Sequence, residues 1–360
     1  MSILFEPCNF CGLELKNRFA RSATLEGMAT DEKIPSDLLL TLYEELAKGG
    51  VGMIVTSAVR ADRSWDPSPN SRNLCLDRDD LIPGFSRLAR KVHDLGSKVI
   101  LQLGTFYRFG GELVGPSSLP FQGASGTTIL KALEEDEIEA IVEGYGEAGR
   151  RAKEAGFDAA QINAAHGFPL SRFLSPVFNK REDRYGGSPE ARARIVMEIT
   201  AAIGKKAGQD FPVLVKMNVS DFTKEGLFLE DGVEVARILS QHGVASIETS
   251  GGAPGQAVTW LGAIDDSKWV EGYFVDYGAA IKQAVNVPVI LVGGFRKLPM
   301  MEEVIKQGKA DLVAMSRPFI REPGIVRRWK EGNLAPSDCT SCNGCLDLVL
   351  SGRPLQCIEQ

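Results

Sequence analysis

Histidine is scarce in this sequence, with three residues in 360. Other things are missing altogether. No stretch approaches the roughly 18 uninterrupted apolar residues that mark a membrane-spanning helix, so no membrane partner is expected. The opening MSILFEPCNF has no basic segment and meets Glu6 at once, so no signal peptide is expected. There is no long basic run, and the net charge is −6, which argues against a nucleic-acid binder. Cysteine numbers seven, an odd count in a chain too long to need a disulfide framework, and a reducing cytoplasm is the expected location. What is present is 44% hydrophobic and 24% charged, the balance of a soluble globular protein. A chain of 360 residues fits two domains or one large α/β barrel.

Short β-rich runs alternate with longer amphipathic ones eight times. The runs are RFARSA (18–23), GMIVTSAV (52–59), KVILQLG (98–104), DAAQINAA (158–165), FPVLVKMN (211–218), ASIETSGG (245–252), VPVILVGG (287–294) and ADLVAMSR (310–317). Most are continuously apolar and end in Gly, Ser, Thr or Asn, as parallel strands buried on both faces do. Helical patterns lie between them. One spans 36–50, with Ser36 as N-cap and Gly49 as its stop, and another spans 189–203, with Pro189 at its start. Eight βα units without a compositional break predict a closed (β/α)8 barrel. A doubly wound sheet would carry a glycine-rich turn after its first strand, and RSATLEG is not one. Gly144 to Gly149 spells GxGxxG, but inside a helical run. There small residues serve close packing rather than a dinucleotide. The third βα connection, from Thr105 to about Glu134, is long and rich in Gly, Pro and Ser, which suits a lid or substrate wall.

Residues at the carboxyl ends of barrel strands share one pocket. They are Ser22, Ala23, Thr24, Ala58, Gln102, Asn163, His166, Lys216, Ser250 to Gly252, Gly293, Gly294, Ser316 and Arg317. The sets after strands seven and eight stand where barrels build phosphate sites, and Arg317 adds a forked cationic donor. Lys216 could form a Schiff base with a carbonyl substrate, place a positive charge beside a cofactor that becomes anionic, or make a structural ion pair. Gln102 offers a donor and an acceptor to a planar heterocycle.

Several segments resemble the Old Yellow Enzyme family of FMN-dependent NAD(P)H:flavin oxidoreductases. They are LFEP, LELKNRFARSAT, GGVGMIVTSAV, NAAHGFPLSRFLSPVFNKREDRYGGSPEARAR, VPVILVGGF and ADLVAMSRPFIREP. The resemblance implies FMN within the barrel, loaded by NADH or NADPH. Ser22, Ala23, Thr24, Ala58, Gln102 and Lys216 would line the isoalloxazine. Gly252, Gly293, Gly294, Ser316 and Arg317 would hold the ribityl phosphate end. Asn163 and His166 match the family's pair that donates hydrogen bonds to a substrate carbonyl or nitro oxygen.

Departures fall at the substrate side. Phe168 stands where the family usually has a proton-donating Tyr, leaving Tyr107, Tyr273 or water as the proton source. Asn163 replaces the commoner His, Leu25 replaces a Thr or Cys, and QLGTFYRFGG lacks the usual continuation after strand three. The tail CTSCNGCLDLVLSGRPLQC places four thiols, Cys339, Cys342, Cys345 and Cys357, which suit an iron–sulfur cluster, zinc or a reduced metal-free tail. The pattern resembles the four-iron, four-sulfur segment of the larger relatives 2,4-dienoyl-CoA reductase and trimethylamine dehydrogenase, with the second gap one residue shorter. Cys8 and Cys11 replace ordinary residues of the family's N-terminal segment.

The expected organisation is a barrel over 1–335 with a Cys-rich extension over 336–360 packed against it. The expected activity is transfer of electrons from reduced nicotinamide through FMN to an activated C=C bond of a small unsaturated carbonyl compound. Two other readings are an amine dehydrogenase passing electrons out through a Cys-bound cluster, and a phosphate-binding lyase using Lys216. A homo-oligomer is compatible with any of them.

Overall fold

The computed structural model describes residues 2–62, 72–104, 108–123, 126–252 and 270–359. Eight parallel strands form the barrel: β1 (Phe19–Arg21), β2 (Met53–Val55), β3 (Lys98–Gly104), β4 (Ala159–Ala164), β5 (Val213–Asn218), β6 (Ser246–Ser250), β7 (Val289–Val292) and β8 (Leu312–Met315). Each pairs in parallel with the next, and β8 returns to β1 through Val313 opposite Phe19, closing the ring. Every strand lies inside its expected run. Continuous apolar runs fold this way because one face of each strand fills the barrel and the other receives a helix.

The helical layer follows from ordinary capping. Helix α1 (Asp37–Lys48) starts where Ser36 Oγ accepts Leu39 N–H at 3.3 Å. It stops at Gly49, where any Cβ would fall 1.9 Å from the Pro323 carbonyl oxygen. The GxGxxG segment lies in α2 (Glu135–Glu154), away from any strand end. A Cβ on its Gly149 would sit 2.7 Å from Ile203 Cγ2 on α3 (Pro189–Ala207), so those glycines serve helix packing. Among the described residues no helix is long and apolar enough to cross a membrane.

Side chains alternate across each strand with period two, so inward positions are i, i+2 and i+4. Ala20, Met53, Ile100, Ala159, Leu214, Ile290 and Leu312 pack inside the barrel. The same cluster includes Phe10 and Leu15 of the antiparallel hairpin Cys8–Phe10 and Leu13–Leu15, which plugs the amino-terminal end. Cys11 sits at that end, its Sγ 3.0 Å from the Ala245 carbonyl, far from the strand tips where chemistry is expected. Moving two residues along β3 or β5 from that apolar layer reaches Gln102 or Lys216. The candidate site is thus the next layer of the same alternation.

The long third connection contains short strands. Arg108–Phe109 pairs antiparallel with Glu112–Gly115, and Pro120–Gly123 with Gly126–Ile129. None of its described residues lines the cavity reported below, and Tyr107 lies outside the described residues. Buried Arg172 ties this connection to the site's backbone, donating to Val114 O at 2.9 Å and to Gly167 O at 2.8 Å.

Candidate active site

A cavity of about 380 Å³ opens at the carboxyl ends of the strands. Ala23, Thr24, Ala58, Gln102, Asn163, His166, Lys216, Gly294, Ser316 and Arg317 line it. Three expected members do not. Ser22 lies beneath the floor, Gly252 spends its N–H on Ser220 O at 3.0 Å, and Gly293 borders Phe274, whose nitrogen would lie 3.1 Å from a Cβ there.

The floor rests on a buried polar chain. Lys216 Nζ lies 2.9 Å from Glu248 Oε1 and donates to Ser22 Oγ at 2.8 Å, and Ser22 in turn donates to Glu248. Gln161 Nε2 donates to the other Glu248 oxygen at 2.9 Å, and Gln102 Nε2 donates to Gln161 Oε1 at 2.7 Å. Strand register creates these contacts, since Gln102 is paired with Gln161 and Lys216 with Glu248 on adjacent strands. The chain also fixes amide orientation. A carboxylate only accepts, so Gln161 must turn its NH2 toward Glu248 and its oxygen toward Gln102. Gln102 then keeps its carbonyl oxygen for the cavity. Gln161 and Glu248 were missed at the sequence level. The available signal was period two, for each lies two residues before a strand-end polar residue, Asn163 or Ser250.

His166 and Asn163 are held by different means. His166 has a left-handed backbone (φ 62), and its N–H is accepted by Asn218 Oδ1 at 3.0 Å. Its Nε2 lies 2.6 Å from Ser250 Oγ. Burial, reinforced by the Lys216 charge, pushes the imidazole well below its ordinary pKa, so the ring is neutral at neutral pH. If the Ser250 hydroxyl donates to Nε2, the proton resides on Nδ1. Asn163 Oδ1 accepts the Ala165 N–H at 3.3 Å, which directs its NH2 group away from that contact. Phe168 lines the same cavity without a proton to give. Tyr273 lines it too, its phenol raised by burial and hydrogen-bonded to Arg317, and Tyr277 adds a second phenol that sequence reading missed.

The tail completes one end. Ser341, Asn343, Cys345, Leu346 and Leu355 line the cavity, and Arg317 donates to Asn343 Oδ1 at 2.7 Å. Leu355 N–H is accepted by Glu26 O at 2.9 Å, just past β1. Cys339, Cys342, Cys345 and Cys357 together line a second, smaller pocket that shares Arg317, Ile320, Ser341, Asn343 and Cys345 with the first. Burial, then the nearby Cys339, raises the Cys345 thiol. Among the described residues no three His, Cys, Asp or Glu groups are gathered closely enough to hold a metal ion.

The profile of the family described as NADH:flavin oxidoreductase / NADH oxidase matches residues 3–335. The chain is 33% identical over 358 residues to an NADH oxidase of Thermoanaerobacter brockii, spanning 95% of this chain and 53% of that one. It is 32% identical over 326 residues to an NADPH dehydrogenase of Geobacillus sp. (strain WCH70), spanning 89% of this chain and 92% of that one. The solved structure of histamine dehydrogenase from Rhizobium sp. 4-9 superposes with a TM-score of 0.86 at 25% identity, over 99% of this chain and 52% of that one. The chain therefore spans about half the length of the curated relatives it matches first.

Proposed function

Because this chain belongs to the NADH:flavin oxidoreductase / NADH oxidase family, we propose that its barrel holds FMN, takes electrons from NADH or NADPH, and reduces the activated C=C bond of a small unsaturated carbonyl compound. The observation that carries this reading is one cavity combining a neutral donor pair, Asn163 and His166, with a floor that presents one buried cation and one amide oxygen. Residues 1–335 are read as the barrel and 336–360 as an extension that closes one end of its site.

The residues present suit the cofactor. Gln102 offers its carbonyl oxygen to a ring N–H, and Lys216 offers positive charge to a ring that gains negative charge. Ala23, Thr24 and Ala58 are small enough to admit a flat heterocycle. Gly294, Ser316 and Arg317 are the phosphate-end candidates, joined by Arg296, which lines the cavity beside them. When bound, FMN supplies two-electron chemistry between nicotinamide and a second substrate. Asn163 and His166 would donate to the substrate oxygen and hold the charge that builds there as the double bond is reduced. With Phe168 in the usual acid's place, the proton for the α-carbon would come from Tyr273, Tyr277 or water. Lys216 is engaged by Glu248 rather than free to attack a carbonyl, which weighs against the lyase reading.

Purified protein should carry about one noncovalent FMN per chain, released by heat or acid and identified by chromatography. Colourless protein that FMN cannot reconstitute would sink the proposal. No membrane or nucleic-acid partner is proposed, and the expected setting is the cytoplasm.

A second reading draws on the two adjoining pockets. Cys339, Cys342, Cys345 and Cys357 would ligate a four-iron, four-sulfur cluster, whose four irons spread the thiolates wider than one metal ion does. Electrons could then leave the FMN cavity past Cys345, as an amine dehydrogenase would need. Anaerobically purified protein should contain about four irons and four acid-labile sulfides per chain. Cys342→Ser should remove them while FMN remains. Metal-free protein with four reactive thiols would return the tail to a purely structural role.

A further inference from the structure

Two arginines of the cavity meet on the tail. Arg296 follows β7 and Arg317 follows β8, and both line the cavity together with Gly294 and Ser316. Arg296 Nη2 donates to Ser341 Oγ at 2.5 Å. Arg317 Nη1 donates to Ser341 O at 3.4 Å and to Asn343 Oδ1 at 2.7 Å. The Arg296 carbonyl in turn accepts the N–H of Ser337, also in the tail, at 2.9 Å. One buried tail residue, Ser341, thus gathers both guanidinium groups at one place.

The turn that does this is itself constrained. Ser341 has φ 63 and Asn343 has φ 61, left-handed values that residues other than glycine seldom take. Such strain persists where surrounding contacts outweigh it. Here each strained residue gives an oxygen to an arginine. A guanidinium is a rigid planar fork of N–H donors, so fixing one edge on the tail fixes the direction of the rest. The groups that Arg317 meets, the Ser341 carbonyl, the Asn343 amide oxygen and the Tyr273 phenol, are all uncharged. They orient its positive charge without cancelling it. Two guanidinium groups drawn to one residue also repel each other, and an anion between them relieves that repulsion.

We propose that the tail turn 341–343 belongs to the cofactor's phosphate subsite, with Ser341 and Asn343 as positioning residues that aim Arg296 and Arg317 at the FMN phosphate. The inference rests on the FMN-dependent reading above and gives the tail a task in it that needs no metal.

Riboflavin has the ring of FMN without the phosphate, which makes it the matched probe. The full chain, freed of flavin and titrated with each compound by fluorescence quenching, gives both dissociation constants without turnover. The unaltered protein should bind FMN at least about a hundredfold tighter than riboflavin. Ser341→Gly and Asn343→Gly delete the hydroxyl and the amide while suiting the left-handed backbone. Each should weaken FMN binding about tenfold and leave riboflavin binding unchanged, so the preference for FMN falls about tenfold. Arg317→Met should remove more of that preference. Adding Asn343→Gly to it should cost little further, because the amide acts through the arginine.

A preference for FMN unchanged in both glycine variants overturns the inference. So does an equal loss of both flavins, which would make the turn a general support of the fold. Full additivity of Arg317→Met with Asn343→Gly overturns it as well. Protein that binds neither flavin fails the proposed function and this inference together, whereas a parent and variants that prefer FMN equally fail this inference alone.

Discussion

Alanine in place of His166 should slow single-turnover reoxidation of the reduced enzyme by an enone about 10²- to 10³-fold, and Asn163→Ala should act in the same direction. Each substitution removes one donor aimed at the oxygen on which charge develops, inside a pocket where water replaces it poorly. The double variant should fall little below the worse single one, because two donors to one oxygen act as a unit. FMN content should stay constant in all three, since neither side chain belongs to the proposed cofactor set. Stopped-flow absorbance at the flavin band measures the rates directly. Rates in both alanine variants equal to that of the unaltered enzyme would mean the pair does not anchor the substrate.

The second large effect should come from Glu248, which is fully buried beside Lys216. Glu248→Ala leaves a buried ammonium without its carboxylate and two amides without the acceptor that orders them. Removing one partner of a buried pair costs about 3–5 kcal/mol, so the urea midpoint of the FMN-free protein should drop sharply. Replacing both partners by apolar residues, as in Glu248→Leu with Lys216→Met, should restore most of that stability. It should not restore FMN binding, because the cavity floor would then lack its cation and Gln102 its fixed orientation. Equal midpoints for the Glu248→Ala variant and the parent would show that the pair is solvated rather than structural.

The sequence made the floor of the site half legible. Gln102, Asn163 and Lys216 stand at strand ends, where chain direction and barrel geometry force them into a common mouth. Gln161 and Glu248 lie one alternation deeper, in runs that read as apolar, and their partners come from strands far away in sequence. Local pattern could flag them as inward. It could not show that Gln161 reaches Glu248 two strands away.

Glycine gave mixed returns for a related reason. Gly251, Gly252, Gly293 and Gly294 look alike in sequence, as paired strand-end glycines. Gly251 and Gly294 line the cavity. Gly252 commits its N–H to Ser220, Gly293 yields space to Phe274, and Gly251 yields space to two rings. A missing side chain announces close approach, and the approaching group is always a matter of tertiary contact.

The sequence by itself determined the barrel, the order of its strands and the residues at their tips. Those depend on periodicity, caps and breakers, which act within a few residues of chain. Only the tertiary structure decided which polar groups pair beneath the floor, that the tail forms part of the wall, and that Arg296 and Arg317 meet on Ser341. These depend on where distant segments cross, and the buried polar groups gathered there must find partners once water is removed.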